Sequence, residues 1–247
     1  MKYNKDSVSV VVSSCNKYRY LWDIQLQLFN KYWGECPYDI YFLSESSELP
    51  KLNTKLKLYD INSNTEPNRT SDWSNILLDS LNLIKSDYII YMQEDYVFIR
   101  DVDQNRLDKL LNYMFTNDLD YIRFSTTPPG NGDIIKIDEN IFIREIKKNT
   151  MWRSSLQLSI WKKDTLTSLL NQNISISPWE FEHIDTSKFE NFYSIDLGKD
   201  HETDILPFAG IYGSSNGYGI YPQLVDFLKN ENIKMLNGEE INYGIRL

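Results

Sequence analysis

Cysteine, histidine and clustered basic residues are all scarce in this 247-residue chain. Cys15 and Cys36 have no second Cys or His at metal-ligand spacing nearby, which argues against a zinc site and for a reducing compartment. The two histidines, His183 and His201, leave little material for histidine-based catalysis, and each, alone in a polar setting, reads as structural. Lysine and arginine never run longer than the pairs Lys147-Lys148 and Lys162-Lys163, and 26 basic against 35 acidic residues give 26 − 35 = −9. Nonspecific nucleic-acid binding, which needs clustered cations to neutralise phosphates, is therefore disfavoured. No apolar stretch approaches the roughly 20 residues that span a bilayer. Val8 to Val12, behind Lys2 and Lys5, is too short for the core of a signal peptide. A cytoplasmic protein is expected, with a composition compatible with peripheral docking at the inner face of the cell membrane. What the chain does have is apolar and aromatic bulk: 41% hydrophobic residues, including 17 Tyr, 11 Phe and 6 Trp. That is enough to bury a core without disulfide staples.

The first half alternates strand and helix patterns. Ser7 to Ser13 is a short β-branched apolar run, as expected of a strand covered on both faces. From Tyr18 to Trp33 large apolar residues fall near helical spacing, and Gly34 and Pro37 end the pattern. Asp39 to Leu43 and Lys55 to Ile61 predict the next two strands. Ser71 or Asp72 is placed to cap a helix carrying Trp73, Leu77, Leu81 and Ile84, and Asp87 to Met92 predicts a buried strand. A helix is expected from about Gln104 to Phe115. Beyond it, Asp120 to Ser125 predicts a strand, Thr127 to Gly132 a turn, Ile134 to Ile146 a hairpin and Met151 to Trp161 another strand. Asp164 to Leu170 predicts a short helix and Tyr221 to Lys229 an amphipathic one. The rhythm implies an α/β fold with a mostly parallel central sheet flanked by helices, in a single domain over residues 1–247. Ligands of such sheets lie beyond the carboxyl ends of the strands.

The most informative stretch is Gln93-Glu94-Asp95-Tyr96, where two acids follow directly on an apolar strand. Adjacent carboxylates repel unless a cation or hydrogen-bond donors compensate them. A solvated acidic turn would need nothing more; a divalent-metal site would use them as oxygen ligands beside substrate phosphates. Gly213-Ser-Ser-Asn-Gly217-Tyr-Gly219 matches neither a P-loop nor a dinucleotide fingerprint and reads as a turn, and no Gly-x-Ser-x-Gly elbow exists.

Taken in order, Ser13-Ser14-Cys15-Asn16 after the first strand, Asp72-Trp73-Ser74 at a helix entry, Gln93-Glu94-Asp95 after an apolar strand and Trp179-Glu180-Phe181-Glu182 resemble the nucleotide-sugar glycosyltransferases of the GT-A fold. The likeness is to family 2-like bacterial enzymes of surface polysaccharide synthesis, capsule or lipopolysaccharide. The resemblance implies a donor half over residues 1–103 and an acceptor half over residues 104–247. It implies that Asp95 and Glu94 hold Mn²⁺ or Mg²⁺ and the diphosphate, although Gln93 stands where the first acid of the usual Asp-x-Asp would be. Ser13, Ser14, Asn16, Asp72 and Trp73 would contact the nucleotide. Lys17, Arg19, Arg69 and Arg153 are the cations available to the phosphates. On the acceptor side, in an inverting transfer, Glu182 or Glu180 would deprotonate a hydroxyl of a saccharide or lipid-linked saccharide acceptor, with flanking aromatics as a dry shelf for a sugar ring. If that stretch is extended, the two glutamates share a side. Two alternatives stand beside this reading. A nucleotidyltransferase uses a similar sheet but normally shows a glycine-rich basic loop after the first strand, and Ser14-Cys15-Asn16-Lys17 has no glycine. A noncatalytic carbohydrate-binding or assembly subunit would use the aromatics without turnover.

Overall fold

The computed structural model describes residues 3–44, 49–62, 73–125, 128–173, 175–196, 205–210, 212–213, 219–220 and 222–234. Strands β1 (Val8–Ser13), β2 (Asp39–Ser44), β3 (Leu58–Asn62), β4 (Tyr88–Gln93), β6 (Tyr121–Arg123), β7 (Ile134–Asp138), β8 (Ile141–Glu145), β9 (Ser159–Lys162) and β10 (Phe192–Ile195) form one sheet in the order β3-β2-β1-β4-β9-β6-β10-β8-β7. The pairings make β9 and β8 run against the other seven, so the sheet is mostly parallel in direction, as the strand–helix rhythm predicts. The short β5 (Tyr96–Phe98) leaves this sheet and pairs antiparallel with β11 (Phe208–Gly210).

The β1 and β4 runs are predominantly apolar, and buried at every position but Gln93, because both of their faces are covered. Val10, Val12, Ile90 and Met92 face one core with Trp22 and Phe29 of helix α1 (Trp22–Trp33) and Leu107 and Leu111 of α3 (Gln104–Asn117). Val11, Ile89 and Tyr91 face the other, with Leu77 and Leu81 of α2 (Trp73–Leu83) and Leu166 and Leu170 of α4 (Lys163–Gln172). Burial on alternate sides is the period of two expected of a strand. Helix α6 (Pro222–Asn230) packs Leu224 and Leu228 against Leu21, Ile24 and Leu28, a third cluster.

Besides the strands β5, β10 and β11, which were not expected, the structure departs from the expected elements in three places. The segment before α1 is a 3-10 stretch, Asn16–Leu21, with Tyr18 off helical geometry, so the α-helix starts at Trp22 rather than Tyr18. Most of Met151 to Trp161 is turn, and only Ser159–Lys162 is strand, because the preceding Arg153, Ser154 and Ser155 are buried polar residues satisfied outside the ladder. Residues 178–181 are not extended but form a one-turn helix, α5 (Pro178–Phe181). Its start was written in the sequence as Ser177-Pro178-x-Glu180, with proline at the first helical position and a capping box in which Ser177 and Glu180 satisfy each other's backbone N–H.

Candidate functional site

The chain leaves β1 sideways to β2 and β3, then returns to β4 on β1's other flank. The crevice beyond the carboxyl ends of β1 and β4 is therefore the point where strand order reverses, the general ligand position of open α/β sheets. The last residues of these strands, Ser13 and Gln93, are paired in register. Glu94-Asp95 is the turn that follows, and it connects β4 to β5.

That turn is clamped from below. Gln25, 1% exposed on α1, donates its amide to the carbonyls of Gln93 (3.1 Å) and Tyr96 (3.4 Å), so one side chain grips both ends of the acidic turn. Glu94 is itself only 7% exposed. The Ser14 hydroxyl, which accepts the Trp22 indole N–H at 2.6 Å, lies beside the Glu94 carboxyl and favours its ionised form. Burial nonetheless dominates. It pushes Glu94 up to about 8, with repulsion from Asp95 adding to the rise, and Asp95 up to about 6. The two carboxyls titrate as a pair.

Among the described residues, Asp95 Oδ1 is buried and meets no hydrogen-bond donor, and the same holds for Gln25 Oε1 and Gln157 Oε1. A buried, unpaired carboxylate oxygen beside a second buried carboxyl suits a hard cation, since Mg²⁺ and Mn²⁺ take oxygen ligands and tolerate few from protein when phosphates supply the rest. Among the described residues, no three His, Cys, Asp or Glu stand together as a metal cluster, and Asp95 and Glu94 are the pair that could hold a cation at this turn.

The donor-loop residues fall at the same edge. Ser13 Oγ accepts the Trp73 indole N–H at 3.1 Å, and Asn16 opens the 3-10 stretch that carries exposed Lys17 and Arg19. Asp72, Arg69, His201 and residues 214–218 of the glycine-rich loop lie outside the described residues.

Arg153 is elsewhere. It is 4% exposed, and all three guanidinium nitrogens donate to backbone carbonyls, of Ile146 (2.9 Å), Thr186 (2.8 Å), Phe189 (3.0 Å) and Glu190 (3.0 Å). Its carbon Cζ sits 4.2 Å from the centroid of the Phe192 ring. It staples the 184–190 loop to β8 and β10, and has no free fork for a diphosphate. Replacing it strands those carbonyls in the interior at about 1–3 kcal/mol each. Arg153→Met is therefore expected to destabilise the chain by about 3 kcal/mol or more and to lower Tm by roughly 6–12 °C for a chain of this size. Nucleotide affinity lost at an unaltered Tm would return Arg153 to the ligand.

The two acceptor-side glutamates are separated by the helix that sequence reading missed. In α5 residues two apart point about 200° from each other. Glu180 is exposed, and its carboxylate is held by the Ser177 N–H (2.8 Å) and hydroxyl (2.7 Å), which push its pKa down. Glu182 points inward, where its Oε1 accepts from the Ser155 hydroxyl (2.9 Å) and the Leu156 N–H (2.7 Å). Its charge bears on the Tyr96 hydroxyl, as does that of Asp95, and both push that phenol up together with burial. Burial is the larger cause, and the charge of Glu182 reaches the Tyr96 hydroxyl from outside the acid turn. Phe181, one of the expected shelf aromatics, is fully buried against Trp73 (5.4 Å) and Trp161 (6.1 Å), and belongs to the core.

Gln25, Tyr96 and Ser155 were missed from sequence. Gln25 carried a signal, a polar residue three positions after Trp22 and four before Phe29 on the apolar stripe of α1.

No protein-family profile matches the chain, and no curated protein matches it. Among solved structures the chain is similar to S. aureus TarS 1-349 in complex with UDP-GlcNAc, at 13% identity and a TM-score of 0.44 over 82% of this chain and 60% of that one. It is also similar to S. aureus TarS 1-349 in complex with UDP, at 12% identity and a TM-score of 0.42 over 78% and 60%. The chain thus spans 60% of the length of these TarS structures.

Proposed function

We propose that this chain is a glycosyltransferase that moves a sugar from a nucleoside-diphosphate donor to a saccharide acceptor with inversion. The observation that carries the reading is the buried acid pair Glu94-Asp95 at the carboxyl end of β4, where strand order reverses, with the carboxylate of Glu182 acting on the same tyrosine. The topological position suits a nucleotide. The pair suits a diphosphate only with added positive charge, and Asp95 and Glu94 would hold Mg²⁺ or Mn²⁺, which when bound supplies that charge.

In this reading Ser13, Ser14 and Asn16 bind the nucleoside, Trp73 braces Ser13, and Gln25 holds the acid turn in place. Glu182 accepts the acceptor hydroxyl's proton while that oxygen bonds to the anomeric carbon. The bond from that carbon to the diphosphate oxygen breaks, and the nucleoside diphosphate leaves with the electron pair. The products are an inverted glycoside, a nucleoside diphosphate and protonated Glu182. A base so used needs a second oxygen free for the proton, and fixing Oε1 by two donors leaves Oε2 for that task. The finer assignment, to bacterial surface polysaccharide synthesis and the family 2-like enzymes, rests on the order of the sequence motifs.

The test is a thermal-shift panel of UDP, GDP, CMP and their sugar conjugates, each with Mg²⁺, with Mn²⁺ and with chelator. A ligand at 100 times its Kd stabilises by about 2.7 kcal/mol, which at roughly 2–4 °C per kcal/mol is readily measured. One nucleotide class is expected to shift wild type and to fail with Asp95→Ala. No shift with any nucleotide would sink the donor site and leave a carbohydrate-binding subunit as the better account.

A further inference from the structure

Outside the crevice, the least expected feature is a row of rings at the surface beside Glu182. Trp179 is 66% exposed, an unusual position for an indole in water. Its ring lies 5.3 Å from that of His183, and the His183 ring lies 6.4 Å from that of Trp152. The row is built rather than accidental. The His183 Nδ1 faces the Trp179 carbonyl at 2.8 Å, and the Trp152 indole N–H donates to His183 Nε2 at 3.1 Å. Only the neutral tautomer with its proton on Nδ1 satisfies both, so the imidazole locks the two tryptophans to each other.

Trp152 is held at its backbone as well. Its φ is +54°, a left-handed conformation costly for a bulky residue, which persists only where the surroundings impose it. The imposing group is Arg123, fully buried at the end of β6, which donates Nη1 to the Trp152 carbonyl at 3.0 Å and Nη2 to that of Pro128. Two bridges then join the same short segments: Trp152 to His183, and Ser155 with Leu156 to Glu182. The rings and the inward carboxylate are thereby fixed as one unit.

We infer that Trp179, backed by the His183 ring tilted 57° to it and by Trp152 edge-on to His183 at 79°, is the stacking platform for the acceptor, and that the acceptor is a pyranose ring presenting a C–H face to the Trp179 indole and a hydroxyl to Glu182. This inference rests on the glycosyltransferase reading for its direction, but not for its ligand class. Indole faces carry negative charge density that attracts polarised C–H groups, and their N–H edges supply the polar handle that sugar recognition needs. A protein partner fits less well. The rings are flanked by exposed Glu180, Asp185 and Lys188, and a stable interface buries about 800 Å² on each side. Phe181, which sequence reading put on the shelf, is replaced by Trp152 from a different segment.

The experiment is saturation-transfer difference NMR on the full chain with the methyl glycosides of glucose, galactose, N-acetylglucosamine and N-acetylgalactosamine, with the nucleotide thermal shift measured in parallel. At least one glycoside is expected to bind wild type. Trp179→Ala, an exposed truncation, is expected to weaken it at least tenfold with Tm and the nucleotide shift unchanged. His183→Leu, which frees Trp152 and leaves Trp179, is expected to weaken it about threefold. Glycoside binding unaltered in Trp179→Ala, or none with any of the four, overturns the platform while a retained nucleotide shift leaves the donor site standing. Loss of the nucleotide shift in wild type defeats the transferase reading; Trp179-dependent glycoside binding would still support the platform. A concentration-dependent dimer in light scattering that Trp179→Ala disperses would overturn it in favour of an interface between copies.

Discussion

Glu182→Gln is expected to lower kcat for sugar transfer by about 10²–10⁴-fold, the range general-base catalysis supplies, with Tm and nucleotide affinity unchanged. The amide keeps an oxygen where Oε1 accepts from Ser155 and Leu156, so the local structure has no reason to move. Only the ability to take a proton is removed. Glu180→Gln is the matched control. That carboxylate is occupied with the start of α5, where glutamine can still accept from Ser177, so kcat should stay within a few-fold of wild type. Steady-state assays with both variants decide the matter. Activity abolished in Glu180→Gln and retained in Glu182→Gln would exchange their roles.

The second large effect concerns the acid pair without ligand. Glu94 and Asp95 both titrate above their ordinary range because burial disfavours their charged forms. A carboxyl whose folded pKa is raised contributes stability that is fully present below its unfolded value, near 4–4.5. That stability is lost as pH rises through the folded values, about 6 and about 8. The ligand-free protein is therefore expected to lose on the order of a few kcal/mol between pH 5 and pH 9 from this pair, at roughly 1 kcal/mol per unit of displacement. Glu94→Gln should flatten that slope and make the ligand-free protein more stable than wild type at pH 8.5. With nucleotide and Mg²⁺ or Mn²⁺ present the order should reverse, since the ionised pair is then the useful form. Tm against pH, with and without ligand, measures both. Parallel wild-type and Glu94→Gln curves in the absence of ligand would show that the pair is not a store of unfavourable charge.

Much of the sheet was legible because β1 and β4 are predominantly apolar runs without alternation, with Ser9, Ser13 and Gln93 their polar residues, a pattern expected of doubly covered strands. The acid turn was legible because acids directly after such a strand stand out. The acceptor side was harder for specific reasons. Residues 177–183 mix aromatics and acids with no period, and four residues are too few for helical spacing to declare itself. Only the capping-box letters marked the turn, and that one error put Glu180 and Glu182 on the same side. Arg153 failed differently. An arginine near a predicted phosphate site reads as a ligand, and nothing local says that its donors are taken by carbonyls from residues 146 to 190. Tyr96 was hidden because the second charge that bears on it, that of Glu182, comes from far along the chain.

The reversed strand β9 has a consequence for how the molecule comes into being. It fills the gap between β4 and β6, yet it is synthesised some seventy residues after β4 begins, as Tyr88 to Lys162 are the paired positions. In a nascent chain that ends after β4, the four parallel strands β3-β2-β1-β4 would leave β4 as an open edge, of the kind that recruits neighbouring chains. Only when residue 162 emerges is that edge closed, and Ser155 and Leu156, which grip Glu182, arrive with it. Glu182 itself follows twenty residues later, so the β4 edge closes before the carboxylate that those groups hold has been made.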